Sequence, residues 1–195
     1  ESAGTLVLSG QNAFLGGTTV NAGTLIVDGD LSFGLGSATV NAGATLGGTG
    51  ILGTIFLDGG TVAPGASAGT LSAQNLYWTT GDLVFDLGPD QSASDLLEVG
   101  GLQGFGTSET TYTFTFVDRG WVIGTPYTLI NSELSLINVD QFRFTNGGGF
   151  AGYFSYDGQN LQFTVIPEPS TWALAFVAAF LFAARRARVR GKARR

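Results

Sequence analysis

The sequence predicts an all-β fold, in which a parallel β-helix or solenoid carries a β-rich C-terminal cap and is followed by one short transmembrane helix. The first observation is composition: the 195 residues include 31 Gly, and only 12% are charged. Gly weakens helices, whereas Thr, Val and aromatic residues suit pleated strands, so a helix bundle is disfavoured. The other two observations are a short motif that returns along residues 1–75 and an apolar run followed by a basic C-terminus. They divide the chain into a repeat region at 1–88, a capping region at 89–166 and a terminal segment at 167–195.

The repeated motif reads SAGTLVLSG (2–10), NAGTLIVDG (21–29), NAGATLGGTG (41–50) and SAGTLSAQN (67–75). This alignment places Gly4, Gly23, Gly43 and Gly69 at equivalent positions. A second series runs in step with it, with TTVNAG starting at 18, ATVNAG at 38 and GTVAPG at 60. Each unit is predicted to form two short strands, separated by corners where Gly takes a positive φ angle.

One such unit cannot bury its apolar face alone, so neighbouring units must stack and share a core. Stacking at about 20 residues per coil predicts a parallel β-helix. Asn21 and Asn41 occupy matching positions in neighbouring coils, which predicts a ladder of side-chain amides. The sequence leaves open an antiparallel β-sandwich whose hairpins happen to look alike.

Within the repeats, QNAFLGGTTVNAGTLIVDG (11–29) resembles the autotransporter-associated β-strand repeat. The similarity continues in part through 30–50 and more weakly through 51–75. This resemblance implies a right-handed β-helix of the kind found in surface or secreted bacterial proteins. The chain contains no Met and begins within a repeat, so we expect it to be the C-terminal part of a longer protein, with more coils before residue 1.

After residue 88, aromatic residues alternate with polar ones in segments such as TYTFTFVD (111–118) and NLQFTVI (160–166). Alternation places Phe114 and Phe116 on one face, and Phe142 and Phe144 on one face with Arg143 directed to solvent. YDGQN (156–160) predicts a turn of the Asp-Gly type. Because the end of a solenoid exposes its core, we expect these aromatic residues to cover it rather than to bind a ligand.

Charge is divided unevenly along the chain. Residues 1–167 contain 14 of the 15 acidic residues and two of the nine basic ones, a net charge of −12, whereas residues 168–195 carry +6. The acidic body would be repelled by phosphate backbones, so no nucleic-acid partner is expected. The chain has no Cys or His, which removes thiolate ligands and the commonest general base.

Several acidic residues are candidates for catalytic groups. Asp82 and Asp86 lie on one face of a predicted strand, but about 13 Å apart at ~3.3 Å per residue, too far for two carboxylates that act on one glycosidic bond. Four further acidic residues are interpreted as members of solvated turns: Asp28, Asp30, Asp90 and Asp95. Arg119 and Arg143 are the only basic residues of the body. We therefore expect no catalytic residue, no metal site and no cofactor.

The C-terminal segment predicts a membrane anchor. Residues 171–184 are uncharged and would span ~21 Å as a helix, compared with ~30 Å for the hydrocarbon core of a bilayer. Snorkelling basic side chains can extend that span, and the positive-inside rule places residues 185–195 in the cytoplasm and the β-rich body outside. The predicted anchor residues are Trp172, Phe176, Phe180 and Phe182. The predicted positive-inside cluster comprises Arg185, Arg186, Arg188, Arg190, Lys192, Arg194 and Arg195.

Residues 165–195 also resemble the PEP-CTERM protein-sorting domain, which combines a Pro-Glu-Pro motif, a short membrane helix and an Arg-rich end. The motif residues here are Pro167, Glu168, Pro169 and Ser170. The resemblance implies recognition by exosortase, a membrane-embedded transpeptidase of Gram-negative bacteria that produce exopolysaccharide. An ordinary membrane anchor preceded by a Pro-containing linker is the alternative.

These observations together predict a non-enzymatic structural protein of the cell surface or extracellular matrix, directed to the envelope of a Gram-negative-type bacterium. The body is expected to stay outside a single membrane pass or to be released after processing. The expected partners are the membrane and exosortase, with exopolysaccharide as a further candidate. Two alternatives stay open, a β-helical enzyme that acts on polysaccharide and an adhesin, with a functional site in upstream repeats.

Overall fold

The computed structural model describes residues 4–13, 16–32, 36–65, 67–104, 110–132, 138–146 and 150–167. This part of the chain is all-β, with short 3₁₀ turns that include Gln91–Ala93 and Val139–Gln141 and no α-helix. The strands of the repeat region are β1 Thr5–Leu8, β2 Thr18–Val20, β3 Gly23–Val27, β4 Ala38–Asn41, β5 Ala44–Gly48, β6 Ile51–Pro64 and β7 Thr70–Leu87. The later strands are β8 Leu96–Gly104, β9 Tyr112–Asp118, β10 Pro126–Ser132, β11 Phe142–Asn146, β12 Ala151–Tyr156 and β13 Asn160–Ile166.

The strands stack into three parallel ladders. The first ladder joins β1, β3, β5, the ends of β6 and β7, and then β9 and β11. The second joins β2, β4, the middle parts of β6 and β7, and the end of β8. The third joins the beginnings of β6, β7 and β8 to β10. Parallel pairing of segments about one coil apart is incompatible with the antiparallel sandwich considered from the sequence.

The last two strands depart from this arrangement. β13 pairs antiparallel with β10, and β12 pairs antiparallel with β13. The turn between them contains Asp157, whose carboxylate accepts hydrogen bonds from the backbone N–H groups of Gln159 and Asn160 at 3.0 and 2.7 Å. Gly158 has a φ of +101°. The predicted Asp-Gly turn at YDGQN is therefore confirmed.

Alternation along the strands directs one row of the first ladder into the core. Successive register pairs join Leu6, Leu25, Leu46, Val62, Leu83 and Phe114. From Leu25 onward these side chains are at most 2% exposed. This row shows how units that cannot fold alone share one continuous core.

The structure corrects the predicted alignment of the repeats. Thr24 pairs with Thr45, which brings Gly23 opposite Ala44 rather than Gly43. Val62 of GTVAPG pairs with Leu46 in the first ladder, whereas Val40 of ATVNAG pairs with Leu57 in the second. The physical reason is that the coils differ in length. β6, for example, runs without interruption through parts of all three ladders.

The fourth copy of the motif is also out of register. Thr70 of SAGTLSAQN pairs with Leu96, and Ser72 pairs with Ile51, so this copy belongs to the third ladder. Gly69 therefore does not occupy the position of Gly4 and Gly23. The pairing of strands, rather than similarity of the local sequence, decides the ladder to which each copy of the motif belongs.

A cluster of aromatic side chains continues the core beyond residue 88. Phe114 lies 4.9 Å from Phe154 and 5.4 Å from Trp78, and Phe116 lies 4.3 Å from Phe163, between ring centroids. Phe114 and Phe116 are buried and Arg143 is exposed, as the alternation predicts. In the part of the chain that the structure describes, no buried side-chain polar atom lacks a hydrogen-bond partner.

Candidate functional site

The predicted sorting and anchoring residues fall almost entirely outside the described ranges. Pro167 directly follows β13 and is half-buried. Glu168, Pro169, Ser170, the predicted anchor residues and the basic cluster lie outside the described residues, as does the predicted helix at 171–184. Of the helices within the described ranges, none is long and apolar enough to cross a membrane.

One of the buried polar groups among the described residues is a carboxylate. Asp95 is only 3% exposed and lies directly before β8. One of its carboxylate oxygens accepts a hydrogen bond from the backbone N–H of Asp86 at 2.7 Å, and the other accepts one from Gly69 at 3.1 Å. Asp95 therefore joins the end of one coil to the beginning of the next.

Burial raises the pKa of Asp95 to about 7 from its ordinary value of 3.8. The negative charge of Asp86 acts in the same direction, whereas the two backbone hydrogen bonds and the positive charge of Arg119 oppose the rise. The sequence interpretation of Asp95 as a solvated turn residue was wrong. No feature of the local sequence distinguishes Asp95 from Asp90, because the burial of Asp95 results from the packing of coils.

Asp82 and Asp86 both lie on one face of β7, as the sequence predicts, and this face is the one directed away from the core. Asp86 accepts a hydrogen bond from the Arg119 guanidinium at 2.9 Å, and the Arg119 side chain is 58% exposed. An ion pair this accessible contributes little to stability, typically below about 1 kcal/mol. The pair links β7 to the end of β9 across the first ladder.

The other acidic candidates accept hydrogen bonds, two of them within turns and one from the next coil. Asp30 accepts hydrogen bonds from the hydroxyl and the backbone N–H of Ser32 at 2.6 and 2.8 Å, and these bonds lower the pKa of Asp30. Asp90 caps the 3₁₀ turn at Gln91–Ala93, and the Ser92 hydroxyl lowers the pKa of Asp90 in the same way. Asp28 accepts a hydrogen bond from the backbone N–H of Thr49 in the next coil at 3.2 Å. The described residues contain no group of three acidic side chains that could hold a metal ion.

A groove of about 310 Å³ opens beside the first coil. It is lined by residues of β1, β2 and β3, among them Thr5, Val20 and Leu25. Leu6 and Val7 of β1 are 57% and 53% exposed, although the equivalent Leu25 of the next coil is buried.

The sequence interpretation also missed a feature of the outer surface. Phe56 of β6 and Tyr77 of β7 are register partners on the second ladder, and their rings stack with centroids 5.2 Å apart. Both residues belong to the repeat region, for which the sequence predicts only stacked coils. Alternation along FLDGG and LYWTT could have placed them outside, but adjacency of the two rings depends on the register of β6 and β7.

Comparison with known proteins gives two findings. Residues 2–27 match the family model described as the passenger-associated-transport-repeat. The chain is also 48% identical over 65 residues to the adhesin BmaC autotransporter of Brucella suis biovar 1. That alignment covers 32% of this chain and 2% of the adhesin, so the chain spans a very small part of that relative. Both findings support the predicted similarity to autotransporter repeats, whereas the similarity of residues 165–195 to the sorting domain stays a prediction.

Proposed function

We propose that this chain belongs to a non-enzymatic structural protein that is exported to the cell surface or extracellular matrix. Its coils would form a right-handed β-helical stalk. The observation that carries this proposal is that residues 2–27, which match a transport-associated repeat, include β1 and β3, the first two strands of a ladder that continues to β11. A stack in which each coil contacts its neighbours suits an extended spacer on the outside of a cell.

The aromatic residues after residue 88 would complete this stalk as a cap. Their burial among β9, β11, β12 and β13 supports that role, as does the change to antiparallel pairing at β12 and β13. The antiparallel hairpin of β12 and β13 lies beside β10, the last parallel strand of the third ladder. It therefore occupies the edge to which a further coil could be added. Such an end protects the core and the strand edges from uncontrolled association.

The terminal segment would direct the protein to the envelope of a Gram-negative-type bacterium. In this proposal Pro167, Glu168, Pro169 and Ser170 form the tag that exosortase reads. Residues 171–184 hold the chain in the membrane, and residues 185–195 stay in the cytoplasm until processing. The support is the order of these features in the sequence, together with the position of Pro167 directly after the last strand.

An adhesin is the second candidate, because the relative that shares 48% identity over 65 residues is named as one. In that case the stalk would carry a binding surface at its far end or along its coils. Cells that display the chain should then adhere to a surface that cells displaying an unrelated β-helical passenger do not recognise. Equal adhesion by the two strains would contradict the adhesin function and leave the structural one.

The decisive experiment follows the C-terminus of the mature protein. The chain would be expressed behind an export signal in a related host, with and without exosortase, and its terminus determined by fractionation and mass spectrometry. We expect loss of the residues after the Pro-Glu-Pro motif only when exosortase is present, and coils that added protease can cleave on intact cells. An Arg-rich terminus that stays intact in the membrane fraction under both conditions would contradict the sorting role.

Matched variants sharpen this experiment. Replacing residues 167–169 with Ala should abolish processing while leaving the membrane-directed segment unchanged. The variant R185K/R186K keeps the positive charge at the membrane boundary and should be processed like the unmodified chain. If coils stay inaccessible to protease on intact cells, the exported location itself is contradicted.

A further inference from the structure

The loop between β9 and β10 directs apolar side chains into solvent. We call residues 119–125 the apolar loop. Val122 and Ile123 lie near its middle and are 47% and 57% exposed. Gly, Pro, Asn, Asp and Ser are the residues that usually occupy such positions, because they favour turns and are compatible with water. Two adjacent β-branched apolar residues are therefore unusual here, and their position in the fold indicates what they contact.

Hydrogen bonds hold the apolar loop against the body of the protein. The carboxylate of Asp118 accepts a hydrogen bond from the backbone N–H of Gly120 at 2.7 Å. The buried hydroxyl of Tyr127 accepts one from the backbone N–H of Val122 at 2.7 Å and donates one to the carbonyl oxygen of Gly88 at 2.9 Å. These bonds fix the backbone of the loop and leave its two apolar side chains directed outward.

The apolar loop lies beside the end of the last strand. The backbone N–H of Gly124 donates a hydrogen bond to the carbonyl oxygen of Val165 at 2.8 Å. Pro126, the first residue of β10, is the register partner of Thr164 in β13. Ile166, which ends β13, is 36% exposed. The exposed side chains of the loop and of Ile166 therefore lie at the same end of the body, and exposed apolar side chains that gather in one place mark a surface for a partner or a membrane.

This end of the body is also where the chain continues toward the proposed membrane anchor. Pro167 directly follows β13, and the uncharged run at 171–184 begins four residues later. Four residues span at most about 14 Å when they are fully extended. An anchor that begins at residue 171 would therefore keep the apolar loop close to the surface of the bilayer. The position of the loop in the fold thus favours lipid as its partner.

The charge of the body favours an apolar contact with lipid over an electrostatic one. Residues 1–167 have a net charge of −12, so anionic headgroups would not attract them. Arg119, the basic residue of the apolar loop, is already paired with the carboxylate of Asp86 at 2.9 Å. Trp121, the half-buried neighbour of the two exposed residues, has the side chain that is typical of the interface between water and lipid.

From these observations we propose that the apolar loop and Ile166 form a membrane-contact surface. Val122 and Ile123 enter the boundary between headgroups and acyl chains on the side of the bilayer where the body lies. β13 then ends at the membrane, and the turn between β12 and β13 points away from it. The inference rests on the proposed anchor at 171–184 and adds which end of the body meets the lipid. The tail of the chain and a second copy of the chain are the competing occupants.

The test uses the absence of Cys from the chain, because one introduced Cys can carry a fluorescent label at a chosen position. The full chain would be reconstituted in phosphatidylcholine nanodiscs, which leave both faces of the bilayer open to the water-soluble quencher iodide. We expect a label at Val122→Cys to be quenched by a lipid with a nitroxide near its headgroup and to be shielded from iodide. A label at Gln159→Cys lies in the turn at the other end of β13, about 20 Å away at 3.3 Å per residue, and should behave in the opposite way.

A second substitution separates contact with lipid from proximity to it. Ile123→Ser removes one apolar side chain beside the label at Val122→Cys, so we expect less quenching by the nitroxide lipid and more by iodide. Ile123→Leu keeps an apolar side chain and should leave both kinds of quenching unchanged. Since Ile123 is exposed, neither variant should change the melting temperature. Identical quenching in folded Ile123→Ser and in the unmodified background would overturn the proposal.

The remaining outcomes are also distinguishable. A label at Val122→Cys that iodide quenches as strongly as the label at Gln159→Cys would overturn the proposal. Shielding from both quenchers would overturn it as well, because protein, either the tail or a second copy, would then cover the apolar loop. Quenching by the nitroxide lipid at both positions would contradict the proposed orientation of the body.

A label at Ala178→Cys tests the anchor separately. Quenching by lipid at this position, together with a water-exposed label at Val122→Cys, would leave the anchor in place and contradict the membrane contact of the loop. A water-exposed label at Ala178→Cys would contradict the anchor, and the label at Val122→Cys would then decide the loop contact by itself. The failure of one proposal is therefore not mistaken for the failure of the other.

Discussion

The side-chain amide of Asn41 donates a hydrogen bond to the side-chain oxygen of Asn21 over 2.6 Å. The two residues are 20 positions apart in the chain and lie at the same corner of neighbouring coils. The contact is exposed to solvent and lies where the paired strands β2 and β4 end. An amide ladder of this kind extends wherever the same residue returns in register.

This amide pair should show measurable coupling between coils. In a double-mutant cycle of Asn21→Ala and Asn41→Ala, we expect a coupling free energy of about 0.5–1 kcal/mol, the typical net contribution of one hydrogen bond. Urea denaturation of the four proteins gives the required free energies of unfolding. Strictly additive losses would show that the two amides stabilise the coils independently.

Gly23 should tolerate substitution less well than Gly43. Both have positive φ angles, +78° and +83°, so Ala at either position costs about 1–2 kcal/mol in backbone strain. A Cβ atom at Gly23 would also overlap the carbonyl oxygen of Gly4 in the preceding coil, whereas a Cβ at Gly43 would meet nothing within 4 Å. Gly23→Ala should therefore lower the free energy of unfolding more than Gly43→Ala, which is the matched control. Equal losses would mean that the coils do not approach each other as closely at this corner.

The buried carboxylate of Asp95 should produce a distinctive pH dependence of stability. The pKa of Asp95 is about 7 in the folded state and ordinarily 3.8. At pH values between 3.8 and 7, the folded state therefore binds more protons than the unfolded state. The free energy of unfolding should then decrease as pH rises from about 4 to 7, by at most ~1.4 kcal/mol per pH unit. Asp95→Asn cannot titrate and should flatten this slope.

Urea denaturation at a series of pH values measures the effect of Asp95. The exposed Asp90→Asn is the control: hydrogen bonding lowers the pKa of Asp90, so its contribution is lost only as pH falls below about 4. An Asp95→Asn protein with the same slope between pH 4 and 7 as the unmodified chain would assign the pH dependence to other groups.

The aromatic cluster should depend strongly on Phe114. This side chain is 0% exposed and its ring lies within 5.4 Å of Trp78, Phe142 and Phe154. Phe114→Ala should destabilise the protein by roughly 3–5 kcal/mol through lost burial and a residual cavity, and Phe114→Leu by less. Thermal unfolding followed by circular dichroism measures both. A similar, small loss for the two variants would show that the cluster can collapse around the missing ring.

The sequence predicted part of the aromatic cluster. Alternation along TYTFTFVD and QFRFTN predicted the buried face of Phe114 and Phe116 and the exposure of Arg143, because neighbouring side chains of a strand point to opposite faces. It could not identify the antiparallel hairpin of β12 and β13 as the neighbour of β10. Such pairing depends on which strand edge is open after the coils have stacked.

The sequence by itself determined the all-β class, the stacking of the early coils, the Gly corner at Gly23 and the pairing of Asn21 with Asn41. These properties follow from local rules: pleat alternation, positive φ at Gly, and a repeat that must share its core with a neighbour. Only the tertiary structure decided that Val62 lies beside Leu46, that Asp95 is buried and that Phe56 meets Tyr77. The reason is that the coils are not all of the same length, so register is set by filling one common core, and segments of similar sequence can lie in different ladders.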